Sequence, residues 1–162
     1  LIAGILAAGD DLLSGAKQAL TAVYGPIDLE SAPVPFTYTS YYNEEMGQAI
    51  VRQYVSFDRL IAPETISCIK RETNAAEQRF AAAGKRKVNI DPGYVDLAKM
   101  VLATTKDATY RIYLGNGIYA QSTIYYREKS FEPWPWTYPD YKIEHAIRFF
   151  NQVREQYRQA IR

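Results

Sequence analysis

Leu1-Ile2-Ala3-Gly4-Ile5-Leu6-Ala7-Ala8, followed by Gly9-Asp10-Asp11, is the stretch on which the fold turns. Residues 2–8 are apolar or neutral at every position. A short run of that kind reads as a strand buried on both faces, and therefore as a central one. Asp10 or Asp11 is then placed to cap a helix, because a side-chain oxygen there accepts from free backbone N–H groups. Leu12, Leu13, Ala16, Leu20, Val23 and Tyr24 follow at helical spacing, and Gly25-Pro26 ends the helix.

The pattern continues outward from this unit. After a loop over residues 27–35, residues 36–42 (Phe-Thr-Tyr-Thr-Ser-Tyr-Tyr) are aromatic and β-branched and predict a strand. Residues 43–47 form a turn. Residues 50–57 alternate, with Val51, Gln53, Val55 and Phe57 on one face. Pro63 suits the first turn of a second helix, carried on by Ile66, Ile69, Thr73, Ala76 and Phe80 and stopped at Gly84. Cys68 falls on the apolar side of that helix and reads as a buried hydrophobe. Residues 87–91 are another short strand. The order strand, helix, strand, strand, helix, strand is the split βαβ arrangement of ferredoxin-like folds. The expected class is α+β: an antiparallel or mixed sheet with helices packed on one face.

A single domain is expected over residues 1–162, with a core of about residues 1–91 and an extension of about residues 92–162. Residues 95–105 fit either a helix or a strand. Residues 110–114 and 118–126 are alternating runs joined by Gly115-Asn116-Gly117, a strong hairpin signal. On the second run, Tyr119, Gln121, Thr123 and Tyr125 share one face, opposite Ile118, Ala120 and Ile124. Three prolines deny regular structure to residues 131–139, and Thr137-Tyr138-Pro139-Asp140 resembles a capping box. A final helix presents Ile143, Ala146, Ile147, Phe150, Val153, Tyr157 and Ile161 as one apolar stripe.

Composition narrows the chemistry. One Cys excludes an internal disulfide, and one Cys with one His leaves no common zinc site, so no metal is expected. Phosphate loop, dinucleotide fingerprint and Gly-x-Ser-x-Gly elbow are all missing. His145 flanks the last helix and reads as structural. The opening apolar run has no basic region before it and is far shorter than the roughly 20 residues that span a bilayer. The expectation is a soluble, cytoplasmic protein without membrane contact. The net charge of +1 hides segregation, because residues 27–64 are acidic while residues 85–111 and 142–162 are basic.

The basic stretch 85–111 holds the candidate ligand residues. Asp91-Pro92-Gly93 reads as a tight turn at a strand end, with Tyr94 after it, and Lys99, Thr104, Thr105, Lys106 and Arg111 supply charge and neutral donors. Eight of the 14 tyrosines lie between Tyr94 and Tyr141, beside Trp134 and Trp136. Of these, Tyr119 and Tyr138 are the candidates to stack on a ligand ring. Arg148, Arg154, Arg158 and Arg162 form a row along the last helix that could meet phosphates.

Several segments in combination resemble one family. They are Tyr24-Gly25-Pro26-Ile27-Asp28-Leu29-Glu30, Val88-Asn89-Ile90-Asp91-Pro92-Gly93-Tyr94, Ala103-Thr104-Thr105-Lys106-Asp107, Arg111-Ile112-Tyr113-Leu114-Gly115-Asn116-Gly117-Ile118-Tyr119-Ala120 and Trp136-Thr137-Tyr138-Pro139-Asp140-Tyr141. Nearly end to end, the chain is similar to the prokaryotic family of domain of unknown function 4416. The resemblance implies a soluble bacterial or archaeal protein of about one domain, and carries no activity or cofactor with it.

Three functions stay open. The leading one is a binding module for an anionic ligand, a nucleotide or nucleic acid, held by Asp91, Tyr94, Lys99, Thr104, Thr105, Lys106 and Arg111 with Tyr119 or Tyr138 stacked against it. The second is a small enzyme that uses Asp91 with Lys or Arg on a phosphate- or carboxylate-bearing substrate. The third is an interaction protein that forms a homodimer through its Tyr/Trp surface.

Overall fold

Alternate residues of the first strand face opposite sides of the sheet, and both sides are covered. A computed structural model describes residues 1–162. In chain order the elements are β1 (Ile2–Ala7), α1 (Asp10–Tyr24), β2 (Ile27–Glu30), β3 (Val34–Pro35), α2 (Asn43–Met46), β4 (Val51–Phe57) and α3 (Ile66–Gln78, entered by a 3-10 turn at Pro63–Thr65). There follow β5 (Val88–Val95), β6 (Lys99–Thr104), β7 (Ile112–Gly115), β8 (Ile118–Arg127), β9 (Ser130–Pro133), α4 (Pro139–Lys142) and α5 (Glu144–Ala160). The nine strands form one sheet in the order β2-β4-β1-β5-β6-β8-β7, with β3 also on β4 and β9 also on β8. Every pairing is antiparallel. The protein is α+β, and the run β2-β4-β1-β5 with α1 and α3 has the ferredoxin-like order. β6 to β9 continue the same sheet from the β5 edge, and β5 itself runs through the anticipated core boundary at residue 91.

On one face, Ala3, Ile5 and Ala7 meet Leu13, Ala16 and Leu20 of α1. Ile66 and Ile69 of α3 carry that layer over Ala103 and Ile118. The expected packing of helices on one face therefore describes α1 and α3. The C-terminal helix lies on the other face, where Phe149, Phe150 and Val153 of α5 cover Ile2, Tyr54, Met100, Leu102 and Ile124. The result is three layers with β1 at the centre.

Several local expectations are corrected. Residues 36–42 are not a strand: the residues that pair with β4 lie earlier, in β2 (Ile27–Glu30) and β3 (Val34–Pro35), inside the stretch expected to be a loop. Phe36 instead packs on Leu6, Met46 and Ile50, and its ring meets those of Tyr38 and Tyr42 edge-on. Aromatic β-propensity reflects packing on a half-buried surface, and these rings find that surface in a loop. Asp10 and Asp11 occupy the first turn of α1, with Gly9 as the capping position and no side-chain cap. There the carboxylates complement the positive end of the helix dipole. Cys68 is exposed, because the buried stripe of α3 runs through Ile66, Ile69, Lys70, Thr73 and Glu77. Thr137 and Asp140 make no capping box. The Thr137 hydroxyl donates to the Thr123 carbonyl and accepts from Trp134 N–H at 2.8 Å, while Asp140 is turned to Arg52.

Asp91-Pro92-Gly93 is not a turn but the interior of β5. A residue before proline is biased to extended backbone, so Asp91 suits a strand. Backbone groups two residues apart point the same way, so Pro92, which has no N–H, shares the direction of Ile90. That direction is an open edge, because β6 pairs with β5 only from Gly93 onward. At this edge α3 stands in for a strand. The Ile90 N–H donates to the Glu77 carboxylate at 2.7 Å, and Lys70 Nζ donates to the Ile90 carbonyl at 2.8 Å.

The hairpin forms as anticipated, with Asn116 and Gly117 both at positive φ. Its second strand carries a bulge, since Met100 pairs with Ile124 while Val101 pairs with Ser122. The extra residue, Thr123, moves the alternation by one. Ile118 and Ile124 consequently enter cores on opposite faces of the sheet, not on a shared face. Trp134 and Trp136 stack on each other at 5.1 Å, with Tyr110 and Tyr125 at the two ends, and both indole N–H groups donate to Ser122. The faces of the two indoles are thus turned on neighbouring rings.

At Gly93 a Cβ would strike the Val101 carbonyl and crowd Leu102 and Ile2. A backbone atom cannot rotate aside as a side chain can. Gly93→Ala is expected to lower unfolding stability by about 3 kcal/mol or more, read by urea denaturation with circular dichroism.

Candidate functional site

On the α5 side of the sheet, Gly4 lies between Tyr54 of β4 and Asp91 of β5, and Leu6 lies between Arg52 and Asn89. Gly4 has no side chain, and the space a Cβ would need is taken by the Tyr141 hydroxyl and the Arg52 guanidinium. One part of this face is covered by α5 and another by Phe36 and Met46. Between them opens a cleft of about 680 Å³. Arg52, Asn89 and Asp91 line its sheet side, Lys70 and Asn74 of α3 another side, and Thr104 to Lys106 the end of β6. Tyr38, Tyr41, Tyr42 and Tyr138 bring rings to it.

Charges interlock across the sheet. Arg52, 4% exposed, pairs with the equally buried Asp140 at 2.8 Å and reaches Asp91 at 3.5 Å. The guanidinium also lies over the rings of Phe36, Tyr54 and Tyr141 at 5.5–5.7 Å. Asn89 donates to Asp91 Oδ2 at 3.0 Å and accepts from Arg86 at 3.2 Å. Arg86 forks onto Glu45 at 2.8 and 2.9 Å and touches Glu77 at 3.2 Å. That fork holds the Glu45 carboxyl below its usual range. Burial, with the Asp91 carboxylate nearby, pushes the Tyr42 hydroxyl well up, so it stays protonated. Lys70 and Lys106 are the lining cations without a carboxylate within hydrogen-bond distance. Lys70 Nζ stands 3.7 Å from Asp91, and Lys106 Nζ meets Tyr41, 4.3 Å from its ring centre.

Of the residues singled out in the sequence, Asp91, Thr104, Thr105, Lys106 and Tyr138 line this cleft together. Arg111 stands behind them. It donates to the Tyr138 hydroxyl and to the Lys106 carbonyl, each at 2.7 Å, and to Gln121 at 2.8 Å. Arg111 therefore positions two members of the wall. The other three lie elsewhere. Tyr94, three residues beyond Asp91 on the same strand, faces the opposite side of the sheet and packs with Ile66 and Ile69. Lys99 begins β6 while Thr104 ends it, about 16 Å away at strand rise, and pairs with Asp96 at 2.6 Å. Tyr119 packs on Tyr113 across the hairpin, ring centres 5.2 Å apart.

Arg52, Lys70, Arg86, Asn89, Asp140 and the loop tyrosines went unpredicted. The signal for Arg52 was present as a cation amid the alternation of residues 50–57, on the side opposite Val51, Gln53 and Val55. Of the arginine row along the last helix, Arg148, Arg154 and Arg158 are engaged within the molecule. Arg154 lies 3.4 Å over the Tyr126 ring and donates to the Leu97 carbonyl, while Arg158 and Arg148 pair with Glu155 and Glu144. No cluster of three or more His, Cys, Asp or Glu side chains is placed to hold a metal, and no helix is long and apolar enough to cross a membrane.

Arg52→Met would leave Asp140 buried without its counter-charge. The expected loss is about 3–5 kcal/mol of unfolding free energy, and Asp140→Leu added to it should recover part, as measured by a double-mutant cycle in urea.

Comparison with known proteins adds a family and nothing more specific. No curated protein and no solved structure matches the chain. A family model does match, over residues 1–157, which takes in every strand, the cleft and nearly all of α5. The chain belongs to the family described as domain of unknown function (DUF4416).

Proposed function

We propose that the cleft binds a small anionic ligand with a planar ring, of nucleotide size. The observation that carries this reading is the convergence of Lys70, Lys106, Thr104 and Thr105 on the same 680 Å³ space as Tyr38, Tyr41 and Tyr138. The Lys106 ammonium and the threonine hydroxyls suit oxyanions, Lys70 adds positive charge to the same space, and tyrosine rings suit a base or similar ring. The volume is that of a small-molecule site. A polynucleotide would need an extended cationic track, and three of the four arginines in the row along the last helix, Arg148, Arg154 and Arg158, are paired or stacked within the molecule. The small ligand is therefore favoured over nucleic acid.

One observation favours a second reading, a small enzyme on a phosphate- or carboxylate-bearing substrate. Asp91 lies between Arg52 and Lys70 with its side chain about a quarter exposed to the cleft. A carboxylate so placed can act as a general base while the cations stabilise negative charge in the transition state.

Calorimetry at low salt with nucleoside 5′-monophosphates should give saturable heats. Lys106→Gln and Thr105→Ala, both at exposed positions, should each weaken binding about fivefold or more with unfolding stability unchanged. Absence of heat and of thermal stabilisation with every such ligand would overturn the binding reading. Phosphorus NMR of the bound mixture over hours separates the enzyme from the binder. New signals that vanish with Asp91→Asn identify turnover.

A further inference from the structure

Two charged atoms of the cleft wall form an ion pair that is too long for a hydrogen bond. Lys70 Nζ is 3.7 Å from Asp91 Oδ1, beyond hydrogen-bond range. The Lys70 side chain is 7% exposed, and its ammonium, with three donors, makes one hydrogen bond, to the Ile90 carbonyl. The hydrogen bonds that Asp91 accepts from Asn89 and Arg52 both fall on Oδ2, so Oδ1 keeps its acceptor capacity. A free donor and a free acceptor are thus held at a fixed separation by a strand and a helix.

A single oxygen about 2.8 Å from each atom closes that triangle, which is ordinary hydrogen-bond length. It must accept from the ammonium and donate to the carboxylate. A hydroxyl does both. An ionised phosphate or carboxylate oxygen can only accept, and the Asp91 charge would repel it. An apolar group would add no hydrogen bond to either atom. Asn74, one turn beyond Lys70 on α3, also lines the cleft, with an amide able to meet a neighbouring oxygen.

Resting on the binding reading above, we infer that the Lys70–Asp91 pair reads a ligand hydroxyl, so that the ligand is a ribonucleotide rather than a deoxy compound. The anionic part then lies toward Thr105 and Lys106. Asp91 acts as a specificity residue, and Lys70 both binds and anchors the strand edge.

The test uses AMP, GMP, CMP and UMP with their 2′-deoxy and 3′-deoxy counterparts, by calorimetry on the wild-type chain and on Asp91→Asn. The substitution keeps the shape but can present an N–H where Oδ1 accepted. Wild type should prefer at least one ribonucleotide over one of its deoxy forms by about tenfold or more. In Asp91→Asn the two should fall within about twofold, through loss of the ribonucleotide's advantage. Equal wild-type affinity for ribo and both deoxy forms would overturn the inference while leaving the binding reading intact, and would assign the pair to a bridging water. Discrimination that persists in a folded Asp91→Asn would overturn the role of Asp91. No binding of any nucleotide would overturn both. The wild-type comparison needs no variant to fold.

Discussion

A guanidinium on the face of a β-sheet, cut off from water, must be neutralised where it lies. Arg52 meets that constraint with Asp140 from the far end of the chain, Asp91 from β5 across the central strand β1, and three aromatic rings. The surroundings follow from it. Gly4 has to be side-chain-free on the central strand, because a methyl group would occupy the space of the guanidinium and of Tyr141. The segment after the prolines has to return across the sheet to deliver Asp140, whose carbonyl also accepts from the Tyr54 hydroxyl at 2.8 Å. A buried ion pair of this kind contributes little net stability over an apolar replacement. It does fix where the C-terminal third of the chain docks, and that docking leaves one part of the sheet face uncovered as the cleft.

β1, α1, β4 and α3 were legible because each carries its own local signal. The apolar run of residues 2–8, the helical spacing of Leu13, Ala16 and Leu20, and Gly25-Pro26 need no tertiary information. What depended on distant partners was misread. The rings of residues 36–42 look like strand residues until a loop packs them on each other. Asp91-Pro92-Gly93 looks like a turn unless one knows that the open side of the strand is closed by Lys70 and Glu77. The bulge at Thr123, invisible in the alternation, sends Ile118 and Ile124 to different cores.

The site divided along the same line. Asp91, Thr104, Thr105, Lys106 and Tyr138 stood out as polar groups near strand ends. Arg52 and Lys70 did not. The face of β4 opposite Val51 and Val55 would be solvent in a two-layer protein, and a solvent-facing arginine is unremarkable. Lys70 sits on the inner stripe of a helix, where its charge is meaningful only because a strand edge waits beneath it. Lys99, Tyr94 and Tyr119 were grouped with the others by nearness in sequence, which strand alternation and strand length undo.

The helix α3 does two jobs with one side chain. Lys70 closes the backbone edge of β5 and also forms part of the cleft wall. Local opening of α3 and the shape of the cleft are therefore linked: whatever holds Lys70 in place opposes the opening, and every excursion that lifts the helix dismantles that wall of the cleft. The Ile90 amide, held by Glu77 on the same helix, reports that excursion through the rate at which its proton exchanges with solvent.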